Sequence, residues 1–77
     1  MNESKKIVIE LSNDEALVFF EWLAKFNEQE GHAFEDQAEE RVLFDLEAKM
    51  ESILTQPLDP NYRELLKQAR DRVRDES

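Results

Sequence analysis

The side chains that come nearest to a metal-binding pattern surround His32, the only histidine of this 77-residue chain. Glu35 and Asp36 follow three and four positions later, and on a continuous helix this spacing would bring the three side chains together as ligands. The neighbouring Gly31 indicates a helix end instead, because glycine readily forms the left-handed cap of a helix. We therefore predict no metal site, and a solvated or capping role for His32.

Catalysis by a nucleophile is poorly supported as well. The chain has no cysteine, which excludes thiol chemistry and zinc–thiolate sites. None of its four serines has a base near it in the sequence. One glycine is too few for a phosphate-binding loop, and a domain of this length has little room for a substrate pocket. We predict a non-enzymatic protein without a cofactor.

Acidic side chains are concentrated in the middle of the chain. Ten basic and 19 acidic residues give a formal charge of −9, which opposes binding to nucleic-acid phosphates and to anionic membranes. Carboxylates on a rigid helix could instead imitate a phosphate ladder and inhibit a DNA- or RNA-binding protein. A solvated face that maintains solubility is the simpler interpretation, and mimicry is kept as the alternative. This acidic face comprises Glu28, Glu30, Glu35, Asp36, Glu39 and Glu40.

The composition sets the organisation of the chain. One glycine and two prolines leave few turns, so we expect one mostly helical domain over residues 1–77, frayed at residues 1–4 and 75–77. No apolar run of membrane-spanning length occurs. Without a charged-then-apolar leader, we expect a cytoplasmic protein.

A strand is predicted at the N-terminal end, from Lys5 to Leu11. Its side chains alternate, with Ile7 and Ile9 on one side and Val8 on the other. A strand followed by helices gives an α+β fold class that is predominantly helical. Ribbon-helix-helix repressors share this arrangement, but their outward strand side chains must bind bases, and the acidic charge of this chain opposes that function.

Three helices are predicted after the strand. The first begins at a capping box formed by Ser12 and Glu15 and runs roughly over residues 13–29, with Gly31 as its C-terminal cap. It is apolar around most of its circumference, which places it at the centre of the core. The second begins between residues 34 and 37, with another capping box at Asp36 and Glu39, and runs to about residue 54. The third has Asp59 as its N-cap and Pro60 as its first helical residue, and it ends near residue 74.

The apolar side chains of these helices divide into core and surface. On the first helix, Trp22 and Phe26 are expected to pack against the second. On the second helix, Phe44 projects among charged side chains, which predicts a contact surface. The basic side chains near the C-terminus are expected to complement the acidic middle helices or the negative end of their own helix. The expected inner face of the second helix consists of Ala38, Val42, Leu43, Leu46, Met50, Ile53 and Leu54.

Three segments of the chain carry a resemblance to known sequences. They are residues 14–23 (DEALVFFEWL), 34–43 (FEDQAEERVL) and 58–62 (LDPNY). In these segments the chain resembles a group of small, uncharacterised acidic bacterial proteins with one strand and three helices. The resemblance implies a bacterial, cytoplasmic protein and supplies no activity and no functional residues.

The predicted strand needs a hydrogen-bonding partner. Residues 13–74 contain no second alternating β-branched run, so the partner is a short segment of the same chain or the same strand of a second copy. We predict a homodimer that also recognises an unidentified protein, as a small interaction or regulatory module. The predicted interface comprises Ile7, Val8, Ile9, Leu11, Val18, Phe19, Trp22 and Phe44.

Overall fold

The computed structural model describes residues 5–29, 31 and 33–75. This part of the chain is predominantly helical, with three α-helices. They are α1 (Asn13–Glu28), α2 (Gln37–Ile53) and α3 (Tyr62–Asp75), and a short 3₁₀ turn (Gln56–Leu58) precedes α3. The positions of all three helices agree with the sequence prediction to within one or two residues.

The strand predicted from Lys5 to Leu11 is not confirmed. Residues 5–12 have no regular secondary structure, and no strand occurs in the described part of the chain. The physical reason is the lack of a partner, since a strand is defined by the backbone hydrogen bonds that it makes with a neighbour. The β component of the predicted fold class is therefore not confirmed in the part of the chain that the structure describes.

Side chains at the helix ends explain where the first two helices begin. The Ser12 hydroxyl accepts a hydrogen bond from the Glu15 amide (3.0 Å), and the Glu15 carboxylate accepts one from the Ser12 amide (2.8 Å), which confirms the first capping box. Asp36 caps α2 by accepting from the amide two residues later (2.8 Å). Its expected partner Glu39 accepts instead from the Glu35 amide (3.0 Å), so the predicted reciprocal pair of Asp36 and Glu39 is not formed.

Gly31 does not end the first helix in the way that was predicted. The C-terminal cap residue of α1 is Gln29, which has an extended backbone (φ −80°). Gly31 has a φ of 90°, in the left-handed region that favours glycine, and therefore turns the chain between α1 and α2. The requirement for glycine was predicted correctly, but its place in the turn was not.

Helix α1 lies at the centre of the core, as its apolar circumference predicted. One side of α1 packs against α2, and another side packs against α3. Leu23 is completely buried in the α1–α2 cluster, and Ala69 is completely buried in the α1–α3 cluster. The other buried side chains are Leu17, Phe20, Met50, Leu54 and Leu66.

The apolar face of α2 is only partly covered. Met50 is buried, but Val42 is 60% exposed and Ile53 is 75% exposed. The prediction that this whole face belongs to the core is therefore wrong. Among the described elements, α1 is the main helix that packs against α2, and one such neighbour covers a narrower arc of α2 than its sequence makes apolar.

Two polar contacts fix α3 against α1. The Arg72 guanidinium donates two hydrogen bonds to the Asp14 carboxylate (2.7 and 2.9 Å), and these bonds hold the pKa of Asp14 below its ordinary value. The Tyr62 hydroxyl donates a hydrogen bond to the Glu21 carboxylate (2.6 Å). The basic side chains near the C-terminus were expected to complement the acidic middle helices or the negative end of their own helix. Arg72 instead pairs with the first turn of α1, while Arg74 pairs with Asp71 of its own helix.

Replacing Tyr62 by phenylalanine is expected to lower the free energy of unfolding by about 1 kcal/mol at pH 7, because the hydrogen bond to a partly exposed carboxylate is lost. Burial, followed by this hydrogen bond, raises the pKa of Tyr62 in the folded chain. Its contribution to stability is therefore complete below the unfolded pKa of about 10 and declines as the pH rises further. Urea denaturation at pH 7 and above pH 10 should show a steeper alkaline loss for the natural sequence than for Tyr62→Phe. Equal alkaline losses would contradict this role.

Candidate interaction groove

An open apolar groove of about 970 Å³ lies beside the N-terminal segment, between α1 and α2. Helix α1 contributes Val18, Phe19 and Trp22 to its walls. Helix α2 contributes Leu46, Met50 and Ile53, and Val73 of α3 also lines it. We call this feature the apolar groove.

The N-terminal segment, residues 5–11, forms the outer edge of the groove. Ile7, Ile9 and Leu11 line the groove, whereas Val8 does not, so the segment keeps the alternation of a strand. These side chains are nevertheless largely uncovered, with Ile7 91% exposed, Ile9 77% and Val8 84%. Within the described residues, no backbone hydrogen bond joins this segment to the helices. The segment therefore offers both apolar side chains and backbone hydrogen-bonding groups to a partner.

Trp22 lies in the wall of the groove and not in the core. It is 54% exposed, and its ring stacks on Phe19 (centroids 6.3 Å apart) and on Phe26 (5.1 Å) along one face of α1. The expectation that Trp22 is buried against α2 is therefore wrong. Tryptophan with one open face is typical of interaction surfaces, where its large area contributes strongly to binding.

Polar groups that could do chemistry are scarce in the groove. Glu15 and Lys49 are its charged lining residues, and Glu15 is already engaged in capping α1. Among the described residues, no group of three or more histidine, cysteine or acidic side chains could hold a metal ion. His32, for which a solvated or capping role was predicted, lies outside the described residues. The groove therefore suits binding by apolar contact.

The structure places the predicted interface residues in two separate regions. Ile7, Ile9 and Leu11 meet the α1 residues Val18, Phe19 and Trp22 in the groove. Val8 faces away from the groove on the same segment, and Phe44 lies on α2 outside the groove. The sequence reasoning missed the α2 wall, because Leu46, Met50 and Ile53 were assigned to the core alone. Met50 is buried and Leu46 packs against the core, as predicted, whereas Ile53 is exposed, and all three line the groove. The sequence feature that could have revealed this wall is the apolar arc of α2, which is wider than its neighbours in a small chain can cover.

Phe44 is 45% exposed, which agrees with the prediction of a surface position. Phe44→Ser is expected to leave the thermal midpoint within a few degrees, because little buried apolar surface is lost. Self-association or partner binding should weaken if Phe44 belongs to a contact surface. Differential scanning calorimetry and light scattering measure the two effects, and a large fall in the midpoint would place Phe44 in the core.

The predicted acidic face lies around the connection between α1 and α2. Its members Glu28 and Glu40 are exposed, as are the three carboxylates that precede and begin α2, Glu35, Asp36 and Glu39. Glu30 lies outside the described residues. Asp36 and Glu39 accept backbone hydrogen bonds, so local capping accounts for two of the six. Mimicry of nucleic acid stays a prediction.

Comparison with known proteins adds no further assignment. The chain matches no protein-family model, and no curated protein and no solved structure is significantly similar to it. Within the described part, none of the helices has the length and apolarity needed to cross a membrane.

Proposed function

We propose that this protein is a small, cytoplasmic, non-enzymatic interaction module that assembles with a second copy of itself. The apolar groove together with the N-terminal segment forms the contact surface. The observation that carries this proposal is the exposure of Ile7 and Ile9 beside a groove in which Trp22 is also half exposed. Such a continuous apolar surface is typical of an interface between subunits.

The surface of the single chain supports assembly with a partner. Ile7, Ile9 and Ile53 are each at least 75% exposed, and all three line the groove. Monomeric proteins rarely expose a contiguous apolar surface of this kind.

A second copy of the chain is the partner that best covers the groove and pairs with the N-terminal segment. The N-terminal segment has the alternation of a strand and lacks a strand partner among the described residues. The same segment of another copy supplies a partner of matching length, and a two-fold axis satisfies both segments equally. Their apolar sides can then cover the grooves of both copies.

The mass of the assembly in solution tests the proposal. Multi-angle light scattering at micromolar concentration should give a mass near twice the 9.1 kDa of one chain. Trp22 fluorescence should shift to longer wavelength on dilution below the dissociation constant, because dissociation exposes its open face to water. A mass near that of one chain at all concentrations up to the millimolar range would refute the proposal.

A further inference from the structure

The alternation of the N-terminal segment limits how two copies can pair. Because side chains on a strand alternate between its faces, a slip of one residue would move Ile7 and Ile9 to the wrong side of the ribbon. The groove-facing side chains of both copies lie on one face only in registers where a residue is directly opposite its own counterpart, with the two-fold axis between them. The candidate axes in the middle of the segment therefore lie at Ile7, Val8 or Ile9.

Charge distinguishes these three registers. An axis at Val8 places Lys6 of each copy opposite Glu10 of the other, and the two pairs lie on the face directed away from the groove. An axis at Ile7 would place Lys6 opposite Val8, and an axis at Ile9 would place Val8 opposite Glu10. Opposite charges directly across a ladder stabilise it, and a charge opposite valine does not. The sequence of the segment is therefore self-complementary about Val8.

The groove-facing side is also self-complementary in this register. With the axis at Val8, Ile7 of each copy lies opposite Ile9 of the other, so two cross-strand isoleucine pairs form one apolar strip. Both side chains line the groove. Cross-strand pairs of β-branched residues are among the favourable pairs of antiparallel sheets.

The overall charge of the chain favours the same location. Each copy carries a formal charge of −9, so most of its surface repels a second copy. Residues 5–11 contain Lys5, Lys6 and Glu10 as their charged side chains and have a net charge of +1. Contact through this segment keeps the acidic surfaces of the two copies apart.

We propose that two copies form an antiparallel two-stranded ribbon through residues 5–11, with the two-fold axis at Val8 and Lys6 of each copy paired with Glu10 of the other. This inference rests on the proposed function, because it specifies the geometry of the same assembly. The ribbon makes a paired strand of residues 5–11, which have no regular secondary structure in the single chain, and its isoleucine side covers the grooves of both copies.

A charge-exchange experiment tests the register. In Lys6→Glu each copy has two acidic residues at the paired positions, and in Glu10→Lys each has two basic residues. Each variant alone should dimerise about tenfold more weakly than the natural sequence, because two attractive pairs become repulsive.

Mixed together, the two variants restore both attractive pairs. With a purification tag on one variant, roughly nine-tenths of the dimers should be mixed, compared with half for random exchange. The double variant Lys6→Glu/Glu10→Lys should dimerise like the natural sequence.

The outcomes separate the register from the proposed function. If the natural sequence is a monomer, the proposed function and the register both fail. If it is a dimer but the mixture stays at half mixed dimers, the register is refuted and the proposed function stands. Circular dichroism checks that the variants keep their helices, which is expected because Lys6 and Glu10 are exposed and lie outside the helices.

Single cysteines give a second, independent measurement, since the chain has none of its own. At the two-fold axis, Val8 of one copy lies directly opposite Val8 of the other, within the range that a disulfide can span. Val8→Cys should therefore form a covalent dimer on mild oxidation. The matched control is Glu10→Cys, whose two copies would lie about 13 Å apart along the ribbon and should not cross-link. Efficient cross-linking of Glu10→Cys with none of Val8→Cys would overturn the register.

Discussion

Leu23→Ala is expected to lower the free energy of unfolding by about 3–4 kcal/mol. Leu23 is completely buried in the α1–α2 cluster, where Phe20 and Met50 are also buried. Removing its side chain loses buried apolar surface and leaves a cavity that neighbours on two helices cannot fill without moving. For a domain of this length the loss is a large share of the total stability. Urea denaturation followed by circular dichroism measures it.

Leu58→Ala is the matched control for this prediction. It removes the same atoms from a side chain that is 87% exposed, so the free energy of unfolding should change by less than about 0.5 kcal/mol. Both variants should be measured at the same protein concentration, because assembly contributes to stability. A loss below about 1 kcal/mol for Leu23→Ala would mean that the helices do not pack as described.

Ile9→Asp is expected to convert the proposed dimer into a monomer. Ile9 is 77% exposed in the single chain and lines the groove, so its side chain is covered only in the assembly. A two-fold dimer contains this position twice, and each copy would bring an unpaired carboxylate into the apolar strip. Loss of the two isoleucine contacts alone weakens dimerisation about a hundredfold or more. Light scattering should therefore give a mass near 9.1 kDa at micromolar concentration.

Leu58→Asp controls for the effect of adding an acidic group to an exposed apolar position. Leu58 is 87% exposed and does not line the groove, so this variant should keep the mass of the natural protein. Both variants should retain their helical circular dichroism, because neither side chain is buried in the single chain. If Ile9→Asp has the same mass as the natural dimer, the groove is not the interface.

The helices themselves could be predicted because their signals are local. The Ser12–Glu15 box acts within one turn, and it was found where the sequence placed it. Asp36 likewise marks the start of α2. Apolar residues around most of α1 required cover on more than one side, which the packing of α2 and α3 partly provides. Each of these inferences depends on neighbours that are close in sequence.

Positions whose state depends on distant parts of the chain were harder to predict. Trp22 and Ile53 are apolar residues on amphipathic helices, and periodicity alone assigns both to the core. Only the packing of the helices showed that Trp22 and Ile53 stay exposed beside their neighbours in the described part of the chain. The candidate site was found in part, because Ile7, Ile9 and the α1 residues were singled out before the groove that joins them was known.

The sequence by itself determined the helix boundaries, the central place of α1, the acidic charge and the strand-like alternation of residues 5–11. These follow from side-chain chemistry and from spacing over a few residues. The tertiary structure decided which apolar side chains are buried and which line an open groove, and it showed the N-terminal segment without a strand partner among the described residues. Burial and strand pairing are properties of two surfaces in contact. The sequence of one segment therefore shows only which side chains and backbone groups are available for contact with a partner.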